Sequence, residues 1–168
     1  MKNDYKLSVH RLTACGIIAC IYAVLTVATS SFAYGPIQFR IAEALGILPF
    51  FAPWTAWGVT LGCLLANLFS PVSALDIVIG TFATLVACLL TAKCVNRYLA
   101  LLPPVIVNAV LIGAMIAWVS TPETFWRSFV IFGLEVGAGE LAVMYTIGLA
   151  LLILFRRRGL DERLRALE

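Results

Sequence analysis

The chain has 168 residues, of which 62% are hydrophobic and 12% charged, with 12 basic against 9 acidic side chains and a formal net charge of +3. Soluble domains carry about 25% charged residues, whereas stretches 12–39, 44–75, 77–92 and 98–122 here carry none. A helix needs about 20 apolar residues to cross the ~30 Å hydrocarbon layer, so these runs exclude a soluble enzyme or a nucleic-acid-binding domain and predict an all-α integral membrane protein.

At roughly 25 residues per crossing and its turn, the length allows five or six spans and no separate soluble domain. No GxxxxGK[ST] phosphate loop occurs, so ATP-driven work would need another chain. Taken in order, the first span is expected over 12–32, followed by the loop 33–40. The uncharged run 44–75 would be about 48 Å long as one helix, and Pro49, Pro53 and Pro71 punctuate it. It therefore reads as a short helix over 41–51, a tight turn at Ala52-Pro53 and a span over 54–69. A fourth span follows over 75–92, then the polar turn 93–97. The fifth, over 102–120, is entered through Pro103-Pro104, which suits a first helical turn. The last helix covers 125–155, and Arg156, Arg157 and Arg158 stop it. The whole is one membrane domain: a tail over 1–11, a compact six-helix bundle over 12–155 and a short charged tail over 156–168.

Charge placement orients the bundle. With the N-terminus in the cytoplasm, Lys2, Lys6, Arg11, Lys93, Arg97, Arg156, Arg157, Arg158, Arg163 and Arg165 fall inside and only Arg40 and Arg127 outside. That bias predicts six spans with both termini cytoplasmic. Trp54 and Trp57 would then belong to an interfacial belt. The N-terminus is polar and lacks the pattern of a cleavable signal. The five cysteines have no paired spacing and are expected to be reduced and structural. His10 is the single histidine, so neither a metal centre nor a cofactor is expected.

Small residues recur on the first span, Gly16 with Cys20 and Ala19 with Ala23. Such stripes allow close helix approach, either within the bundle or against another membrane subunit. Polar groups inside the spans carry the functional signal, because an ionisable group at mid-membrane costs at least ~2.5 kcal/mol. Glu140 lies about 20 Å along the last helix from Arg127, with no basic residue nearby on that helix to neutralise it. Glu135, five residues earlier, points about 140° away. Asn67, Asn108 and Asp76 lie on or at the ends of other spans, where interhelical hydrogen bonds or helix capping would also explain them. Arg40 and Glu43 stand at i, i+3, within pairing reach.

Several ordered segments resemble one family: Tyr34-Gly-Pro-Ile-Gln-Phe-Arg-Ile-Ala-Glu-Ala-Leu45, Leu48-Pro-Phe-Phe51, Ala66-Asn-Leu-Phe-Ser-Pro71, Leu75-Asp-Ile-Val-Ile-Gly80, Leu102-Pro-Pro-Val-Ile-Val-Asn108 and Gly137-Ala-Gly-Glu140. They are similar to the QueT family, the substrate-binding S components of energy-coupling factor (ECF) transporters for queuosine precursors. The resemblance implies a bacterial cytoplasmic-membrane protein that captures a 7-deazaguanine such as preQ0 or preQ1, or queuine, from outside. It would deliver that substrate to a coupling transmembrane subunit and two ATPases, docking through an AxxxA-like stripe on the first helix. Gly16/Cys20 aligns best with that stripe, and Ala19/Ala23 lies beside it.

For such a ligand, Glu140 or Glu43 would accept the paired N–H groups of the guanine edge. Asn67 and Asn108 would supply amide hydrogen bonds, Gln38 and Arg40 would close the site, and Tyr34 or Phe39 would stack on the ring. Asp76 and Glu135 are second-rank candidates. The competing readings are an S component for another small vitamin or base, and a self-sufficient proton-coupled carrier using Glu135 or Glu140.

Overall fold

The computed structural model describes residues 9–30, 39–70 and 73–167, and every regular element among them is helical. Helix α1 spans Val9–Ala28, α2 Ile41–Phe51, α3 Thr55–Asn67, α4 Ala74–Lys93, α5 Leu99–Ser120 and α6 Pro122–Arg157. Of these, α1, α4, α5 and α6 are long and apolar enough to cross a membrane. The chain is therefore a helical, multi-pass membrane protein.

The uncharged run over 44–75 is divided where its prolines stand. Pro49 sits in the first turn of the α-helical end of α2, where its missing N–H leaves no partner unmet. Helix α3 begins directly after Pro53-Trp54. The first seven residues of α2, Ile41–Ile47, are a 3-10 helix, whose rise of about 2.0 Å per residue stretches the whole segment to about 20 Å. The chain then doubles back, so that the start of α2 meets the end of α3: Arg40 Nη2 donates to Asn67 Oδ1 at 2.8 Å.

Neighbours follow chain order from α3 onward. Helix α1 packs on α3, α3 on α4, α4 on α5 and α5 on α6, while α2 touches both α1 and α6 and bridges the two ends of the series. Without a hydrophobic drive between helices in lipid, close packing needs small residues, and glycines mark the tightest crossings. A Cβ on Gly62 would lie 2.6 Å from Tyr22 Cβ and 2.9 Å from Ala19 O, and one on Gly113 would lie 2.6 Å from Gly133 Cα. These contacts set α1 against α3 and α5 against α6.

Two features depart from the sequence reading. The charged tail is not merely a tail: after Gly159, in the left-handed conformation at φ 60°, helix α7 forms over Leu160–Arg165. It folds back on the bundle, with Arg165 Nε donating to Phe51 O at 3.3 Å and Leu164 packed against the two apolar clusters that contain Phe51 and Trp54. Trp54 is accordingly buried against Cys15 and Ala52 rather than part of an interfacial belt, whereas Trp57 is exposed. Helix α6 is continuous but contains a π turn over Met144–Gly148. All five cysteines are free.

Candidate functional site

Depth along the helices brings the polar candidates together. Asn67 is the last residue of α3 and Asp76 lies in the first turn of α4, so both stand at the end of the bundle where α2 begins. Asn108 lies about 18 Å below the last residue of α5, and Glu140 about 22 Å past Phe125 on α6. Their matched depths on adjacent helices allow Asn108 Nδ2 to donate to Glu140 Oε1 at 2.8 Å.

The shallower group is built around Arg40, Glu43 and Asn67, which are 3%, 2% and 1% exposed. The 3-10 turn of α2 holds Arg40 Nε 3.7 Å from Glu43 Oε1, and Arg40 reaches across to Asn67. Asn67 Nδ2 donates to the backbone carbonyl of Asp76 at 3.0 Å, tying α3 to α4. Asp76 does not cap α4: Ser73 accepts from Leu75 N, and the Asp76 carboxylate instead accepts from Ser70 Oγ at 2.6 Å. Burial in a low-dielectric interior makes unpaired polar groups costly, and this network satisfies Asn67 from both sides.

Three participants were missed by sequence reasoning. Tyr22, fully buried on α1, donates its hydroxyl to Glu43 Oε1 at 2.5 Å. Cys63, read from sequence as a small hydrophobe, accepts from Thr84 Oγ1 at 3.1 Å, Asn67 Nδ2 at 3.3 Å and Arg40 Nη2 at 3.6 Å. Thr84 brings α4 into that contact. A tyrosine standing alone in an uncharged span was the one available signal for Tyr22. The thiol's role depends on three groups that only the tertiary fold assembles.

The deeper pair is linked electrostatically to the shallower group. Glu140 is 2% exposed, lies within electrostatic reach of Glu43 and Arg40, and its Oε2 has no hydrogen-bond partner among the described residues. Six helices thus contribute to one polar interior: Tyr22, Arg40 with Glu43, Cys63 with Asn67, Asp76 with Thr84, Asn108, and Glu140. Acid acceptors, a guanidinium and amides side by side can clasp a planar heterocycle carrying adjacent N–H donors and a carbonyl.

The remaining candidates lie elsewhere. Tyr34 and Gln38 fall outside the described residues. Phe39 is 39% exposed at the start of the α2 segment. Glu135 is half-buried, on another side of α6 from Glu140. On α1, Ala19 is buried against Gly62 of α3 and is occupied in internal packing. Cys20 is exposed and Ala23 half-buried, while open space surrounds the position of a Cβ on Gly16. A groove of about 420 Å³ between α4 and α5 is lined by Leu75, Phe82, Met115, Trp118 and other apolar residues, with none of the polar candidates. It offers a heterocycle no hydrogen bonds.

Comparison with known proteins gives a consistent picture. The chain is 35% identical over 83 residues to the queuosine precursor transporter QueT of Lactococcus lactis subsp. cremoris (strain MG1363), a match covering 48% of each chain. The matched region thus spans about half the length of that curated relative. No solved structure gives a significant match. The family model for the QueT transporter matches residues 12–157, the whole bundle with its polar interior, and the chain belongs to the QueT transporter family.

Proposed function

We propose that this chain is the substrate-binding membrane subunit of an ATP-driven importer of the energy-coupling type, capturing a queuosine precursor of the 7-deazaguanine class. The observation that carries this reading is Glu140. It is a carboxylate deep in a membrane bundle with one oxygen held by Asn108 and the other without a donor among the described residues. Such a group is costly unless a ligand or partner meets it. The guanine edge supplies adjacent N–H donors of the right kind. The ring carbonyl would take Arg40 or an amide of Asn67, and an aminomethyl group would find its counter-charge in Glu43.

Six crossings with both termini cytoplasmic suit the same role. The polar end, where α2 starts and α3 ends, would face outside, and the end bearing Lys93, Arg97 and Arg156 would face inside. The short hairpin of α2 and α3 then descends from the mouth of the site toward the inner end, where Phe51 stacks on Phe155 with ring centroids 5.7 Å apart. In this reading Gly16 and Cys20, on the outer side of α1, meet a coupling transmembrane subunit served by two ATPases in the bacterial cytoplasmic membrane.

Two measurements test the proposal. Titration of the detergent-purified chain with preQ0, preQ1, queuine, guanine and B vitamins should give tight binding only for 7-deazaguanines, and preference for a vitamin would overturn the substrate class. Precursor uptake in cells unable to make queuosine should require the ATPases. Uptake that persists without them, driven by a proton gradient, would refute the energy-coupling assignment.

A further inference from the structure

The turn between α4 and α5 separates two hollows. One is a basin of about 460 Å³ lined by Val95, Asn96, Arg97, Tyr98 and Arg156. The other is an apolar groove of about 330 Å³ between α4 and α5, lined by residues including Leu90, Leu99, Leu102 and Ile106, with Lys93 on its border. Residues 95–98 line the basin and their chain neighbours Cys94 and Leu99 line the groove, so the two lie on either side of a single short piece of chain.

Three cations, Lys93, Arg97 and Arg156, stand exposed here, and none is paired with a carboxylate among the described residues. Arg97 is held in place rather than waving free: its guanidinium carbon lies 4.7 Å from the Tyr98 ring centroid, and its Nη2 donates to Tyr98 Oη at 3.0 Å. Asn96 spends its Oδ1 on Tyr98 N at 2.9 Å, which leaves its amide hydrogens for another acceptor. Helix C-termini favour cations, and that accounts for Lys93 and Arg156. It does not account for Arg97, which stands in the turn, nor for Val95 and Leu99, which are 97% and 55% exposed beside these charges. A held Arg97 beside Arg156 in one basin, with an apolar groove bordered by Lys93 across the turn, matches a molecule with an anionic head and a hydrocarbon tail.

We propose that an anionic phospholipid binds at this turn, its phosphate between Arg97 and Arg156 and one acyl chain in the groove between α4 and α5. Guanidinium groups bind phosphate oxygens through paired, charge-assisted hydrogen bonds, and Lys93 adds charge at the border of the groove. The inference rests on the chain crossing a membrane and is independent of what it transports.

The test is native mass spectrometry of the detergent-purified full chain titrated with phosphatidylglycerol or phosphatidylcholine of matched acyl chains. Phosphatidylglycerol should be retained roughly thirtyfold more strongly, since each of the two arginines contributes about 1 kcal/mol beside an anionic headgroup. Arg97→Gln with Arg156→Gln should bring it down to the phosphatidylcholine level, and Arg97→Gln alone part of the way. Arg127→Gln, on the exposed start of α6, should change nothing. Ile106→Trp, which fills the groove but keeps the cations, should weaken retention of the lipid. Equal retention of both lipids, or an unchanged preference in the arginine variants, would overturn the proposal. Displacement of the lipid preference by millimolar inorganic phosphate, with Ile106→Trp silent, would identify a free-phosphate site and overturn it equally.

Discussion

Replacing Glu140 with glutamine separates a binding role from a structural one. The substitution keeps shape and volume, and the side-chain carbonyl of glutamine can still accept from Asn108 Nδ2, which now meets Glu140 Oε1 at 2.8 Å. The change falls on Oε2, which has no hydrogen-bond partner among the described residues. There an acceptor becomes an amide donor, which in the proposed site would face the N–H groups of the ligand. One hydrogen bond to a charged group is lost, worth about 1.5–3 kcal/mol, so the dissociation constant should rise roughly 10- to 150-fold. Stability should move the other way or not at all, because the one internal partner is kept and the atom that changes has none to lose among the described residues. Calorimetric titration with preQ1, alongside thermal unfolding in the same detergent, reads both quantities. Unchanged affinity, or affinity and melting temperature falling together, would refute the assignment of Oε2 to the ligand.

Tyr22→Phe keeps the buried ring and deletes only the hydroxyl bonded to Glu43. Affinity should drop about fivefold, the value of one net hydrogen bond of about 1 kcal/mol, as measured by the same titration. Gly113→Ala places a Cβ 2.6 Å from the Gly133 backbone, and overpacking of about 1–3 kcal/mol should lower the melting temperature by several degrees and weaken binding by parting Asn108 from Glu140. Gly16→Ala, with nothing within 4 Å of the new atom, should leave melting unaltered. If Gly16 and Cys20 meet a coupling subunit, Gly16→Leu with Cys20→Leu should preserve precursor binding yet abolish ATP-dependent uptake in reconstituted vesicles.

Hydropathy and proline placement located the helices because those signals are local. The short helix expected over 41–51 is found as Ile41–Phe51, and the span expected over 75–92 as Ala74–Lys93. Side-chain partnership is a tertiary property and was legible only where spacing is short. The i, i+3 proximity of Arg40 and Glu43 could be read directly, and the pair is present at 3.7 Å. The Asn108–Glu140 bond joins residues 32 apart, and no pattern in the sequence announces it. Cys63 misled for the same reason, since a thiol among apolar neighbours in the chain became the meeting point of Arg40, Asn67 and Thr84 in space. Helix α7 was hidden by its charge, although its Leu164 supplies the apolar contact that docks it.

The wide turn over Met144–Gly148 has a geometric consequence for α6. In a regular helix Glu140 and Leu152 would point about 120° apart. One residue looped out reduces that offset to about 20°, and both side chains are buried, at 2% and 1% exposure. The register slip works as a splice between two halves of a single rod, keeping the acid of the upper half and the greasy face of the lower half on the same buried side. Deleting one residue from the splice would leave a regular helix with the same offset of about 20°, so the extra residue is an insertion that the rod absorbs without turning either half.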